Sequence, residues 1–195
     1  ATTVKVFDQM RKLKGYTDEG SPGRDWNVAT GMVIEGKAGF QIMGDWAKGE
    51  FTAAGKTPGV DYYCAATPSN NGYLYNVDSF IFYKTSDPDK QAGQKLLAKL
   101  MMGKNFQKVF NLYKGSIPAR LDVPMDEFDD CAKASNADIK TSGAKGGLVP
   151  SFAHGMAQGN TMKAALQDVI TEHFNSDMSS KDAANALADS VLQNM

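Results

Sequence analysis

The sequence predicts an α/β fold. Three segments have the composition of β-strands, and about six others have the apolar spacing of amphipathic helices. The 195 residues are 42% hydrophobic and 22% charged, which is typical of a globular protein that buries its own core. Three strands are few for a sheet covered by helices on both faces. The remaining strands lie either in segments without a clear pattern or in sequence outside this chain.

Helices and a strand alternate at the start of the chain. Residues 3–14 carry one apolar stripe that ends at Gly15, and this pattern predicts the first helix. A polar loop follows, and residues 26–35 predict a second, short helix. Apolar and polar side chains alternate over 38–42, as in a strand, and helical character resumes over 45–51.

The two other predicted strands follow. Residues 60–67 are rich in β-forming side chains and end at Pro68. The sequence SNNGY at 69–73 has the composition of a turn. Residues 74–84, with the sequence LYNVDSFIFYK, form the clearest strand pattern in the chain.

The second half of the chain is predicted to be mainly helical. Asp87 precedes a proline at the first helical position, which is a typical helix start. The next helix of this half, with its apolar stripe at 106–113, is short and ends at Gly115. A loop rich in glycine and lysine is predicted at 141–150. The apolar stripes of the four helices in this half lie at 92–101, 106–113, 162–170 and 184–192.

Composition and motifs exclude several classes of function. The net charge of −1 does not suit a nucleic-acid-binding protein, which normally carries a basic excess. No run of 18 or more apolar residues is long enough to span a membrane. Motifs of serine hydrolases, phosphate-binding loops, zinc proteases and EF-hands do not occur. We therefore expect a protein that is not an enzyme and that needs no cofactor and no metal.

Six polar or aromatic side chains are candidates for ligand contacts, each with a structural alternative. Asn76 and Asp78 are two apart on the predicted strand and would share one face. They either line a cleft or are the solvent-exposed residues at the beginning of the strand. The two tryptophans, Trp26 and Trp46, offer flat faces for a sugar ring or pack in the core.

Both a functional and a structural role are also open for Lys114, His154 and the two cysteines. Lys114 ends a helix, where a cation is favoured by the helix dipole alone. His154 lies in a glycine-containing loop, where a lone histidine is usually a surface residue or a satisfied polar residue. Cys64 and Cys131 fit no zinc spacing, so they form either one disulfide across a long loop or two buried thiols.

Three segments, in order, resemble the carbohydrate-binding members of the ABC-transporter solute-binding family, which includes maltose-binding protein. The first is WNVATGMVIEGKAGFQIMGDWAKGEF at 26–51, where a Gly-Asp-Trp turn follows a strand-like stretch. The second is YNVDSFIFYKTSDPDKQAGQKLLAKLM at 75–101, and the third is GSIPAR at 115–120. The set covers most of the chain and is most similar to periplasmic glucose- or mannose-binding proteins.

The resemblance implies a two-lobe, type II periplasmic-binding fold of which this chain is the C-terminal half. Residues 1–160 would form the sugar-binding α/β lobe, and 161–195 would return as helices to an N-terminal lobe that is absent from this chain. The implied partners are a monosaccharide such as glucose, the membrane permease of an ABC transporter and that N-terminal lobe. The implied protein is periplasmic and monomeric and does not bind nucleic acid.

The resemblance also implies which side chains contact the sugar and how the cysteines pair. A periplasmic location favours a Cys64–Cys131 disulfide. Asp45, beside one tryptophan of the turn, is expected to be structural. The motif does not decide between the two tryptophans, so both are kept. The expected sugar-binding residues are Trp26, Trp46, Asn76, Asp78, Lys114 and His154.

Two other functions fit the same residues. A carbohydrate-active hydrolase would use Asp45 and Asp78 as its carboxylate pair, which requires the two groups to lie roughly 5–10 Å apart. A sensory binding domain would present the same sugar signal to a chemoreceptor instead of a permease.

Overall fold

The fold was analysed in a computed structural model, which describes residues 2–68 and 72–195. Part of the predicted SNNGY turn, residues 69–71, lies outside the described residues. The described chain contains eight α-helices, one 3-10 helix and two short strands. The helices are α1 (Thr2–Lys14), α2 (Trp26–Ile34), the 3-10 helix (Asp45–Ala47), α3 (Lys48–Ala53), α4 (Pro88–Met101), α5 (Lys104–Lys114), α6 (Asp130–Ala144), α7 (Asn160–Asn175) and α8 (Ser180–Gln193).

The predicted helices are confirmed, and local capping explains their ends. The Asp87 carboxylate accepts hydrogen bonds from the first backbone N–H groups of α4. Gly115 ends α5 with a φ of 87°, a left-handed conformation that glycine adopts readily.

The predicted loop at 141–150 is wrong, because α6 extends to Ala144. Small and polar side chains dominate α6 and leave no apolar stripe in the sequence. The helix starts from a cap instead, where the Asp129 carboxylate accepts the Ala132 N–H at 2.8 Å. A strand then forms within the same predicted loop.

The two strands form a small parallel pair, β1 (Tyr73–Tyr75) and β2 (Leu148–Pro150). The Tyr73 N–H donates to the Gly147 carbonyl at 2.9 Å, and the Ser151 N–H donates to the Tyr75 carbonyl at 2.8 Å. The α/β prediction is therefore met only in part, since helices dominate the described chain.

The predicted strands at 38–42 and 60–67 are wrong, and only the first residues of the one at 74–84 form a strand. A strand requires hydrogen bonds to a neighbouring strand, which β-favouring side chains cannot supply by themselves. The prediction that Asn76 and Asp78 share a strand face is wrong for the same reason, because β1 ends at Tyr75.

The chain divides into two compact units. The first consists of Ala1–Arg24, Leu74–Asn76 and Val149–Met195, and the second of Asp25–Tyr73 and Val77–Leu148. Division into a sugar-binding lobe and returning helices stays a prediction.

Three helices pack together in the first unit, since α8 contacts both α1 and α7. Phe7 and Ala183 are buried between them. The Arg11 guanidinium on α1 donates to the carbonyls of Ser176 and Met178, at the end of α7 and beyond it. This contact gives hydrogen-bond partners to two carbonyl groups of the segment that connects α7 to α8. The apolar stripe of α1 predicts a helix but does not indicate that it packs with the terminal helices.

His173 is fully buried on α7 within this helix group. Its ring centroid lies 4.6 Å from that of Phe7, and its Nε2 lies 3.4 Å from the Ser180 hydroxyl. Its Nδ1 has no hydrogen-bond partner among the described residues.

Burial lowers the pKa of His173, and the positive charges of Arg11 and Lys14 lower it further. The carboxylate of Asp8 acts in the opposite direction. The neutral imidazole is therefore the form that the folded unit favours.

The core of the second unit is small. Val123, Phe128 and Ala132 form a buried cluster, and Leu112 and Ile117 pack against it. Other large apolar side chains of this unit remain exposed, among them Phe40, Ile81 and Leu96.

Cys64 and Cys131 are joined by a disulfide, with their Cα atoms 5.7 Å apart. The bond links the segment after α3 to the first turn of α6. Because 67 residues separate the two cysteines, the chain-entropy model assigns the bond roughly 4 kcal/mol of stabilisation. Both cysteines lie in the second unit.

Protonation of His173 should destabilise the first unit. Its folded-state pKa lies below the value of about 6.5 expected in the unfolded chain, so the unfolded state binds the proton more readily. Stability should therefore be complete above about pH 6.5 and should fall as the pH decreases below that value. Urea unfolding between pH 7.5 and 5, as a rough range, measures this slope.

The variant His173→Phe should lose the His173 part of this pH dependence. The matched control is His154→Gln, which removes the other, exposed histidine and should keep the slope. If the free energy of unfolding depended on pH equally in the two variants, the pH dependence could not be assigned to His173.

Candidate ligand-binding site

Two short segments of the second unit pack with their backbones in direct contact. One is Asp45–Gly49, which contains the 3-10 helix and the start of α3. The other is Lys114–Ile117, which begins at the last residue of α5. A Cβ atom on Gly49 would lie 2.8 Å from the Lys114 carbonyl oxygen. A Cβ on Gly115 would lie 2.6 Å from the Gly49 nitrogen. Both positions require glycine, because a side chain on either would separate the two segments.

Asp45 ties the two segments together through a hydrogen bond. Its carboxylate accepts the Ile117 N–H at 2.8 Å. Burial raises the pKa of Asp45, whereas the Ile117 hydrogen bond and the charges of Lys48 and Lys114 act in the opposite direction. The hydrogen bond from Ile117 therefore supports the expectation that Asp45 has a structural role.

Trp46 is positioned by the glycine two residues before it. A Cβ on Gly44 would lie 2.1 Å from the Trp46 ring, so the indole covers the Gly44 backbone. Only glycine leaves space for the ring there. Two residues of the Gly-Asp-Trp turn thus have a physical requirement: Gly44 leaves space for the Trp46 ring, and Asp45 accepts the Ile117 N–H.

Lys114 and Asp78 form an ion pair next to this turn. The Lys114 side chain is 29% exposed and the Asp78 side chain 65% exposed. The Lys114 ammonium also lies 5.9 Å from the Phe110 ring centroid. An ion pair this exposed contributes little to stability, and its polar atoms remain accessible to a ligand.

An open apolar groove of about 670 Å³ lies along α5 and reaches the same lysine. Its lining residues are Phe106, Val109, Phe110, Tyr113 and Lys114.

A buried ion pair anchors the Asp45–Gly49 segment from the other side. Lys48 is only 6% exposed, and its ammonium contacts both oxygens of Asp129 at 2.8 and 2.6 Å. Asp129 also caps α6. The segment that carries Trp46 is thereby joined to the helix that carries Cys131.

The other candidate residues lie elsewhere. Trp26 is the first residue of α2, where the Asp25 carboxylate accepts its N–H at 2.7 Å. Helix α2 packs against α3. Trp26 and Trp46 are therefore both in the second unit but on different helices.

Asn76 and His154 belong to the first unit. Asn76 follows β1, and the His154 loop follows β2, so both leave from the carboxyl ends of paired parallel strands. Ser151, which is 2% exposed, lies 2.7 Å from the His154 Nδ1. The spacing of three between Ser151 and His154 is visible in the sequence, but no motif marks the two residues as a pair.

The six candidates thus fall into two groups. Asp78, Lys114 and both tryptophans lie in the second unit, and Asn76 and His154 in the first. Among the described residues, no group of three or more His, Cys, Asp or Glu side chains is placed to hold a metal ion. The second-unit group contains two indoles, a carboxylate and an ammonium, and the carboxylate of Asp78 and the ammonium of Lys114 contact each other.

Comparison with known proteins shows the family to which the chain belongs. The family model described as bacterial extracellular solute-binding protein matches residues 1–141, and the chain belongs to that family. No helix in the described part of the chain combines the length and hydropathy needed to cross a membrane.

Relatives include proteins named for sugar binding. A probable sugar-binding periplasmic protein of Brucella suis biovar 1 (strain 1330) is 48% identical over 191 residues, which are 97% of this chain and 45% of the relative. An uncharacterized ABC transporter extracellular-binding protein of Pyrococcus horikoshii is 34% identical over 197 residues, 99% of this chain and 43% of the relative. A xylose/arabinose-binding protein of Haloferax volcanii is 26% identical over 199 residues, 99% of this chain and 42% of the relative. The chain therefore spans a little less than half the length of these relatives.

Removing the charge of Asp129 should destabilise the second unit. The variant Asp129→Asn keeps an oxygen for the α6 cap but leaves the buried Lys48 ammonium without a carboxylate. We expect a loss of roughly 3 kcal/mol in the free energy of unfolding. Asp130→Asn is the matched control, because that side chain is fully exposed, and it should change stability by less than about 0.5 kcal/mol. Equal effects of the two variants in urea unfolding would contradict the anchoring role.

Proposed function

We propose that this chain is half of a periplasmic sugar-binding protein that delivers a monosaccharide, with glucose as the first candidate, to the permease of an ABC importer. The observation that carries the proposal is the accessible Asp78–Lys114 ion pair beside the Trp46 turn. Membership of a solute-binding family and the sugar-binding names of the relatives support it.

The chemistry of the pair suits vicinal hydroxyl groups. A carboxylate only accepts hydrogen bonds and an ammonium only donates them, whereas a hydroxyl does both. Adjacent hydroxyls held by Asp78 and Lys114 would therefore have a fixed direction of hydrogen bonding. An epimer or deoxy sugar would leave one of the two charges without its partner, which is the origin of discrimination.

An indole supplies the apolar part of recognition. Sugar rings present CH groups on one face, and an aromatic face packs against them. Trp46 is the preferred stacking residue because its turn is in backbone contact with the segment that begins at Lys114. Asn76 and His154, an amide and an imidazole, stay predictions of the sequence as sugar-binding residues.

The chain on its own would bind sugar weakly. A second lobe would supply further hydrogen bonds and exclude water when it closes over the ligand. We therefore propose that tight binding requires the N-terminal lobe, that the complete protein is a monomer, and that the same sugar complex serves transport or a chemoreceptor.

The hydrolase alternative is less well supported. Its carboxylate pair would be Asp45 and Asp78, but the Asp45 carboxylate already accepts the Ile117 N–H. That contact favours a positioning role over proton donation to a glycosidic oxygen. The names of the relatives describe binding and transport proteins.

A sugar titration followed by NMR tests the proposal. The chain has only two tryptophans, so a ¹⁵N-tryptophan sample gives one indole signal from each. We expect D-glucose to shift the Trp46 signal, with a Kd on the order of millimolar for the isolated chain, and maltose to shift it less. Absence of any glucose-dependent shift in either indole would count against sugar binding by this chain.

Variants of the Asp78–Lys114 ion pair test whether the glucose-dependent shift of the Trp46 signal reports binding at these residues. Asp78→Asn and Lys114→Met should each raise the glucose Kd about tenfold or more, since each leaves a hydrogen-bonding group of the sugar without its charged partner. Lys108→Met and Glu127→Gln are matched controls, because they change another ion pair of this unit with nearly the same side-chain exposures, 28% and 63%. A control variant that weakens binding as much as the site variants would contradict the assignment.

A further inference from the structure

One cysteine of the disulfide adjoins the ion pair at the start of α3. Cys131 lies in the first turn of α6, two residues after Asp129, which caps this helix. The Asp129 carboxylate binds the ammonium of Lys48, which is the first residue of α3 and follows Trp46 by two positions. A displacement of the first turn of α6 would therefore move the carboxylate to which the segment of Trp46 is anchored.

The other cysteine adjoins a ring stack on the same helix, α3. Cys64 lies two residues after Tyr62, whose ring stacks on that of Phe51 with the centroids 4.2 Å apart and the planes inclined by 28°. Phe51 belongs to α3. Burial and the negative charge of Asp129 raise the pKa of the Tyr62 hydroxyl to about 12, so this ring lies close to the ion pair. We call the Lys48–Asp129 ion pair and this ring stack the two α3 contacts.

The bond that joins the two α3 contacts is accessible to solvent, whereas the contacts themselves are not. Cys64 is exposed and Cys131 is half-buried. Lys48 and Phe51 are buried, with exposures of 6% and 8%. Exposed disulfides are reduced more readily than protected ones. The second unit therefore has a reducible bond at its surface, and this bond restrains two contacts in its interior.

We propose that the Cys64–Cys131 disulfide is a redox-sensitive control of the affinity of the candidate site for its ligand. When a dithiol opens the bond, both α3 contacts loosen, and the turn that carries Trp46 loses its position against the Lys114–Ile117 segment. The effect is one of position, because neither cysteine is among the candidate sugar-binding residues. The inference rests on the proposed function for the nature of the ligand, a sugar, but the displacement of the turn does not.

The redox step is an ordinary thiol–disulfide exchange. A thiolate of the dithiol attacks the Cys64 Sγ, a mixed disulfide forms, and Cys131 leaves as a thiolate that takes up a proton. The second thiol of the reductant then attacks the mixed disulfide, which releases Cys64 and closes a disulfide within the reductant. Two electrons and two protons thereby pass from the dithiol to the two cysteines, and an oxidant of the disulfide class reverses the step.

A D-glucose titration of the oxidised and the reduced chain tests the inference. Dithiothreitol is the reductant, and the indole signal of Trp46 is followed by NMR. We expect reduction to raise the glucose Kd about tenfold and reoxidation to restore it. The same Kd in both redox states would overturn the inference.

A double variant provides the matched control. The chain with Cys64→Ser and Cys131→Ser should have the raised Kd of the reduced chain and should not respond to dithiothreitol. A double variant that binds glucose as tightly as the oxidised chain would overturn the inference, as would one whose Kd still changes with dithiothreitol.

An NMR measurement without sugar distinguishes a change of position from a general loss of stability. The Ile117 N–H donates to the Asp45 carboxylate, whereas Leu112 lies within α5 and packs on the core of the same unit. We expect reduction to move the Ile117 amide proton upfield, because its hydrogen bond lengthens, and to leave the Leu112 amide signal in place. If the bond only stabilised the unit, the folded-state signals of both amides would stay unchanged, and the inference would be wrong.

Two further conditions make each outcome decisive. Both measurements are repeated in trimethylamine N-oxide, which favours the folded state, so that the reduced chain is compared as a folded protein. A reduced chain that remains unfolded there would overturn the inference. An oxidised chain that does not respond to glucose would contradict the proposed function, whereas the Ile117 signal would still decide whether reduction displaces the turn.

Discussion

The contact between the Asp45–Gly49 and Lys114–Ile117 segments is the constraint on which the candidate site depends. Two glycines allow their backbones to approach to a distance that no side chain would permit. The Asp45 carboxylate then fixes the register by accepting the Ile117 N–H. As a result, an aromatic side chain on one segment and an ammonium on the other belong to the same small region, although 68 positions of sequence separate them.

The same contact connects the site to the rest of the second unit. On the far side, Lys48 is buried against Asp129, which in turn caps α6. The disulfide at Cys131 then holds the start of α6 to the segment after α3. The Lys48–Asp129 ion pair, the α6 cap and the disulfide therefore connect the segment that carries Trp46 to α6 and to the segment after α3.

Local signals explain which features could be predicted from the sequence. Asp87 before a proline and Gly115 after an apolar stripe determine helix ends within a few residues, and both were predicted. The strand at 74–84 depends on a neighbouring strand, so its β-favouring composition was insufficient. Helix α6 was missed because it lacks an apolar stripe and relies on a capping aspartate. The resemblance to a family suggested Asp78 and Lys114 as site residues, but the glycine contact behind them is visible only in three dimensions.

The most direct test of this account is the D-glucose titration of the Gly49→Ala variant, followed through the indole signal of Trp46. The account predicts a folded chain whose Trp46 signal no longer responds to glucose, because the new methyl group displaces the Lys114 carbonyl and separates the two segments. Gly93→Ala on α4 has open space around it and should respond like the unchanged chain. A Gly49→Ala variant that binds glucose as well as the unchanged chain would contradict the claim that this contact positions the site.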